Sequence, residues 1–146
     1  QIAAHTAFRG YQAIVVGSPR TDRGTIDKPI ARHKTDRKKM AIVEGGRAAV
    51  THYEVCKRYH GYTHMRFQLE TGRTHQIRVH MASVGHPIIG DPVYGLKKDR
   101  FADMGGQCLH AAELTLCHPA TGQQMCFTAP LPDYFLNILE KLEKMS

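Results

Sequence analysis

Between Ala48 and Glu70 the chain alternates apolar and polar residues twice, on either side of a glycine turn. The first run, AAVTHYEVCKRY (48–59), sets Val50, Tyr53 and Val55 among Thr and His. HGY supplies the turn. THMRFQLE (63–70) answers with Met65, Phe67 and Leu69 against His64, Arg66 and Gln68. A period of two sends successive side chains to opposite faces, so the two runs predict an antiparallel hairpin with one buried face. The period then changes. Thr74 can N-cap a helix, Ile77, Met81 and Val84 form one apolar stripe at i, i+4 and i+7, and Gly85 is the expected stop. A hairpin running straight into a short amphipathic helix points to a fold that mixes antiparallel strands with helix.

The rest of the chain extends that pattern. YQAIVVG (11–17) has the β-branched run of a strand buried on both faces. TIDKPIAR (25–32) reads as one edge strand, the place where Pro29 is tolerated. RHKTDRKK (32–39) is a basic loop, and MAIVEGG (40–46) a short strand ended by a Gly pair. HPIIGDPVYG (86–95), with two prolines and two glycines, is a shaped loop. LHAAELTLCHP and MCFTAP are strands around a TGQQ turn. Leu131, Phe135, Ile138, Leu139 and Leu142 mark a closing amphipathic helix with Asp133 in its first turn. The order predicts one α+β domain spanning 1–146, with a largely antiparallel mixed sheet, a short motif helix and a C-terminal helix.

Composition narrows the classes. With 42% apolar residues the chain can bury a core, and no run approaches the ~18 apolar residues of a membrane helix. The N-terminal segment lacks a signal-peptide pattern, so a cytoplasmic protein with free thiols is expected. It begins at Gln1 rather than Met, so a longer parent protein is expected as well. Twenty Lys and Arg against 13 Asp and Glu leave a formal charge of +7, which favours a polyanionic partner without proving one. Cys56, Cys108, Cys117 and Cys126 lack zinc-knuckle spacing. A zinc set drawn from Cys108, His110, Cys117, His118 and Cys126 is the weaker alternative, and neither metal nor cofactor is expected.

TGRTHQIRVH (71–80) places two arginines and two histidines in ten residues. Arg78 follows Ile77 by ~100° round the helix and so stands at the border of the buried stripe. His75 lies one turn earlier on the same face, and Arg73 can reach the helix N-terminal end. A partly buried guanidinium requires an anion and suits one with two parallel acceptors. That anion is either an acid of this stretch, such as Glu70 or Asp91, or one from outside it. His75 and His80 are five apart, a spacing that diverges rather than chelates, so packing and hydrogen bonding are expected of them.

LETGRTHQIRVHMASVGHPIIGDPVYG (69–95) resembles the signature segment of the RluA-type pseudouridine synthases. RGYQAIVVG resembles that family's strand bearing an active-site tyrosine, AAVTHYEV its A-x-T-x-Y-x-V strand, and CLHAAELTLCHPATGQQMCFTAPLPDYF its closing strands. The likeness runs in order over nearly the whole chain, and is nearest to the large-subunit synthases of the C and D kind. It implies isomerisation of uridine to pseudouridine in ribosomal RNA by an aspartate, without a cofactor. By this resemblance Arg78 pairs with the nucleophilic Asp, Tyr11 stacks under or bonds near a flipped uracil, and Ile77 lines the site. Arg73 and His75 bind substrate beside them, and the loop of Arg37, Lys38 and Lys39 either contacts the RNA backbone or is only a solvated basic loop.

One element of the pattern is missing. The family's Asp lies in a His-Arg-Leu-Asp-x-x-Thr-Ser-Gly segment upstream of the tyrosine strand, and no Asp of this chain has that context. The expectation is therefore a catalytic-domain portion that is inactive alone. The alternative is an RNA-binding module on the same scaffold without chemistry.

Overall fold

The structure is a computed structural model that describes residues 8–101, 106–117 and 124–145. Eight strands and two helices follow in the order β1 (Phe8–Val16), β2 (Arg23–Asp27), β3 (Ile30–Arg32), β4 (Met40–Ile42), β5 (Val50–Arg58), β6 (Tyr62–Leu69), α1 (Gln76–Ser83), β7 (Leu109–Cys117), β8 (Gln124–Thr128) and α2 (Asp133–Met145). Six strands form one sheet in the order β2-β5-β6-β1-β7-β8, and β3 pairs with β4 in a second, smaller sheet. Every strand pairing described is antiparallel. The α+β expectation holds.

The expected hairpin forms, with Tyr53 opposite Phe67 and Val55 opposite Met65. Met65 and Phe67 are fully buried, and so is Thr63 at the same parity. β1 lies between β6 and β7, and its consecutive Ala13, Ile14 and Val15 are all sealed from solvent. Three adjacent buried positions require cover on both faces. Helix α2 covers the face bearing His64, whose ring packs edge-on against Phe135 at 5.4 Å. Phe135, Ile138 and Leu142 are the buried residues of α2, as its stripe predicts, with Leu131 and Leu139 packed beside them. Helix α1 covers the opposite face, where Ile77 and Met81 join Met65 and Phe67 in the core.

Three local expectations are corrected. Residues 25–32 do not form one strand. β2 is indeed the edge of the large sheet, but the chain leaves it at Lys28–Pro29 and enters the small sheet, where Ile30 exchanges backbone hydrogen bonds with Arg47. Proline has no N–H to continue a ladder, so the break falls there. The helix N-cap is His75, not Thr74. His75 has φ 57°, in the left-handed region, and makes no side-chain cap bond. Finally, Val84 is the C-cap and is 38% exposed. Helix α1 has no single apolar stripe: every residue from Gln76 to Met81 is buried. It is wedged between the two sheets, with Val79 facing a second small core of Ile30 and Ala49.

Cys56 is an exposed free thiol and Cys108 a buried one, whose pKa burial pushes up to about 12. Among the described residues no three His, Cys, Asp or Glu side chains are placed to hold a metal. His118 and the side chains of Cys117 and Cys126 lie outside them. No helix among the described residues is long and apolar enough to cross a membrane.

Candidate active site around the Arg78–Asp91 pair

Burying polar residues on α1 obliges each to find partners. Gln76 donates from Nε2 to the Val50 carbonyl and to Thr51 Oγ1, both at 3.0 Å. Its Oε1 accepts from Thr71 Oγ1 at 2.7 Å and from the Arg73 N–H at 3.0 Å. Thr51 Oγ1 then lies 2.8 Å from His80 Nδ1, and His80 Nε2 lies 2.9 Å from the Lys28 carbonyl. A carbonyl only accepts, so His80 carries its proton on Nε2 and accepts at Nδ1. Burial holds its pKa below the ordinary histidine value despite the Lys28 carbonyl. The expectation that His80 packs and hydrogen-bonds is met.

Arg78 is clamped along one edge. Nε donates to Asp91 Oδ2 at 2.8 Å and Nη2 to Asp91 Oδ1 at 2.9 Å. The Arg78 side chain is 10% exposed and that of Asp91 not at all. The shaped loop delivers Asp91. Val16 donates to the Pro87 carbonyl and Ile89 to the Ile14 carbonyl, which ties the loop to β1. Asp91 Oδ1 also accepts the backbone N–H groups of Val93 and Tyr94, at 2.9 and 3.0 Å. Burial alone would raise the Asp91 pKa. The Arg78 hydrogen bonds and charge and the two backbone donors together outweigh it, and hold the carboxyl below its ordinary value. Of the anions open to Arg78, then, Asp91 takes the Nε–Nη2 edge. Glu70 turns away to His52. Nη1 makes no hydrogen bond to a described residue.

Tyr94 gathers the neighbours. Its ring lies under the Arg78 guanidinium, 5.1 Å from centroid to Cζ. Its hydroxyl accepts the Met40 N–H at 2.7 Å and sits 2.7 Å from His75 Nδ1. Met40 is the first residue after the basic loop, so this bond ties that loop to the site. Within the loop, Arg32 Nη1 donates to the Arg37 carbonyl at 2.6 Å, and Asp36 Oδ1 accepts the Lys38 N–H. Arg37 and Lys38 are exposed there, and Lys39 is half-buried. Arg73 donates from Nε to the Ala48 carbonyl at 2.7 Å.

The structure brings Arg78, His75 and the basic loop together through Tyr94 and Asp91. Tyr11 stands apart from that cluster. It lies part-buried on β1 opposite Phe67, packed against the core that also contains Ile77. Sequence reasoning gives Asp91 only as one possible partner of Arg78, and Tyr94 enters the site through the fold alone. The available signal was the spacing of GDPVYG, where an Asp two and three residues before free N–H groups forms a rigid turn.

Comparison with known proteins agrees with this architecture. A family model described as RNA pseudouridylate synthase matches residues 1–83, more than half of the chain. Ribosomal large subunit pseudouridine synthase D of Pseudomonas aeruginosa is 46% identical over 155 aligned residues, covering 99% of this chain and 48% of that protein. An uncharacterized RNA pseudouridine synthase of Bacillus subtilis is 47% identical over 144 residues, covering 99% of this chain and 47% of that protein. Among solved structures, human RNA pseudouridylate synthase domain containing 1 superposes with a TM-score of 0.74 at 25% identity, over 94% of this chain and 66% of that one. The fold is thus shared with a human RNA pseudouridylate synthase domain protein.

The chain belongs to the RNA pseudouridylate synthase family. It spans about half the length of the curated relatives it matches.

Proposed function

We propose that the protein carrying this stretch isomerises uridine to pseudouridine in RNA, with large-subunit ribosomal RNA in the cytoplasm as its substrate. The observation that carries the reading is the guanidinium of Arg78, fixed along one edge by Asp91, its Nη1 bonded to no described residue, beside a cationic loop. The names of the relatives support the choice of ribosomal RNA.

In this reading Nη1 of Arg78 holds the nucleophilic aspartate, supplied by polypeptide outside these 146 residues. A carboxylate beside a fixed guanidinium stays ionised and able to attack. The uridine must leave its stack to be reached. Tyr11 lies under the extruded base and Ile77 closes the apolar wall. The N1–C1′ bond then breaks, the base turns, and a C5–C1′ bond forms. The proton at C5 is lost to water and N1 gains one, so the reaction is a net isomerisation and no cofactor is required. Arg73, His75, Arg37, Lys38 and Lys39 hold the RNA, positioning it without reading its bases.

The test is tritium release from RNA labelled at uridine C5. The full-length gene product should release it, and residues 1–146 alone should not. Release by the stretch alone would refute an aspartate from outside it, and no release by the full-length protein would refute the function.

A further inference from the structure

Tyr94 holds a position that packing alone does not explain. Its hydroxyl has one hydrogen to donate and two neighbours. The Met40 N–H can only donate, so at 2.7 Å the Tyr94 oxygen must accept from it. With no other acceptor for it among the described residues, the hydroxyl hydrogen goes to the other neighbour, His75 Nδ1, also at 2.7 Å. Nδ1 then accepts, and the ring proton of a neutral His75 resides on Nε2. The rings meet edge to face at 5.5 Å and 76°, which leaves the imidazole little freedom to turn.

The backbone points the same way. His75 is the only described non-glycine residue with positive φ, at 57°. Such a conformation costs an L residue about 1 kcal/mol and persists where the surroundings enforce it. At the N-cap of α1 it aims the ring at Tyr94 instead of capping the helix. Two further observations agree. Burial pushes the Tyr94 phenol up, which keeps its hydrogen in place. Burial, with the Arg78 and Arg32 charges against the opposing Asp91, holds the His75 pKa down, which keeps the ring neutral.

We propose that Tyr94 is a positioning residue. It takes the end of the basic loop on one side and His75 on the other, and so presents His75 Nε2–H, beside Arg78, as a fixed hydrogen-bond donor to an oxygen of the bound RNA. The proposal rests on the function proposed above and adds a device to it. Arg78, stacked on the same ring, and the loop bearing Arg37, Lys38 and Lys39 share one rigid support.

The experiment is a double-mutant cycle in the full-length gene product, reading RNA dissociation constant, saturated single-turnover rate and melting temperature. His75→Asn keeps a residue that tolerates left-handed backbone and keeps a group near Nδ1, but removes the Nε2 arm. Tyr94→Phe keeps the ring under Arg78 and removes the hydroxyl. Each single variant should weaken RNA binding about tenfold, the worth of one hydrogen bond to a charged group, with the saturated rate changed less than about twofold. The double variant should bind no more weakly than His75→Asn alone. Losses that multiply would overturn the proposal, as would wild-type affinity in His75→Asn. So would a Tyr94→Phe protein whose only change is a lower melting temperature. If wild-type protein forms no pseudouridine, the function itself fails. If it does and the two losses multiply, only the role of Tyr94 fails.

Discussion

Arg78 and Asp91, thirteen residues apart, face each other through two parallel hydrogen bonds at 2.8 and 2.9 Å in a site that excludes water from the carboxylate. Removing one partner of such a pair leaves the other charge buried and unpaired, which costs ~3–5 kcal/mol. Asp91→Ala should therefore lower the unfolding free energy by about that amount. Asp91→Asn keeps the shape and one acceptor for the guanidinium, and should lose clearly less. Urea unfolding at neutral pH measures both. Equal stability of Asp91→Ala and wild type would show that the pair contributes nothing.

His80 should make stability fall in mild acid. It is fully buried, and its pKa lies below the ordinary 6.5. The unfolded chain thus binds a proton between the two values that the folded protein does not. Its contribution is complete above about pH 6.5 and is lost as pH falls toward the folded value. The slope for one proton is at most ~1.4 kcal/mol per pH unit. The low pKa of His75 acts in the same direction. Asp91 adds a further loss only below its ordinary 3.8, because its folded pKa is lower still. His80→Gln can keep one of the two hydrogen bonds and cannot titrate. Between pH 7.5 and 5.5 its unfolding free energy should fall less than that of wild type. Parallel curves would rule His80 out as the titrating group.

How much of this was legible follows from what each signal measures. The hairpin was readable because alternation is a property of neighbours in sequence, and Met65 and Phe67 are buried as that pattern requires. Helix α1 was readable in extent but not in packing. A stripe assumes one apolar surface to pack on, whereas this helix meets two sheets, so Gln76, Arg78, Val79 and His80 are inside as well. The break at Lys28–Pro29 was half visible: proline marks a ladder's end, but not that a second sheet begins beyond it. At the site, Arg78 announced the need for an anion. Only folding placed Asp91, thirteen residues on, against it, and made Tyr94 the link between His75 and Met40.

The basic loop should govern affinity without governing sequence choice. Arg37, Lys38 and Lys39 stand on the loop that Tyr94 anchors through Met40. Replacing all three by Gln should weaken binding of any RNA. It should also reduce the slope of log K against log salt by up to ~2–3, since a phosphate that no side chain neutralises keeps its counterions. Fluorescence titrations between 50 and 200 mM salt, run on two unrelated RNAs, read both quantities. A loss confined to one RNA would mean that these side chains read bases, and an unchanged slope would mean that they touch no phosphate.

Two glycines flanking the site should differ sharply on mutation to alanine. Gly85 ends α1 in a Schellman turn: its N–H meets the Ala82 carbonyl and the His86 N–H meets the Met81 carbonyl. Its φ is 86°, yet an added Cβ would touch nothing within 4 Å. Gly85→Ala therefore costs only backbone strain, about 1–2 kcal/mol, and should leave the site in place. Gly95 has the opposite problem. A Cβ there would lie 2.3 Å from the Asp91 backbone carbonyl oxygen, to which the Gly95 N–H itself donates at 3.2 Å. That oxygen cannot swing aside as a side chain would, so Gly95→Ala must push the turn that aims Asp91 at Arg78. Its stability cost should reach ~3 kcal/mol, the upper end for overpacking. The full-length Gly95→Ala protein should also lose pseudouridine formation out of proportion to its fraction unfolded. Gly85→Ala should retain it wherever it is folded. Comparing tritium release with circular dichroism on the same samples separates the two effects. An active Gly95→Ala protein of wild-type stability would mean that the turn carrying Asp91 yields without disturbing Arg78.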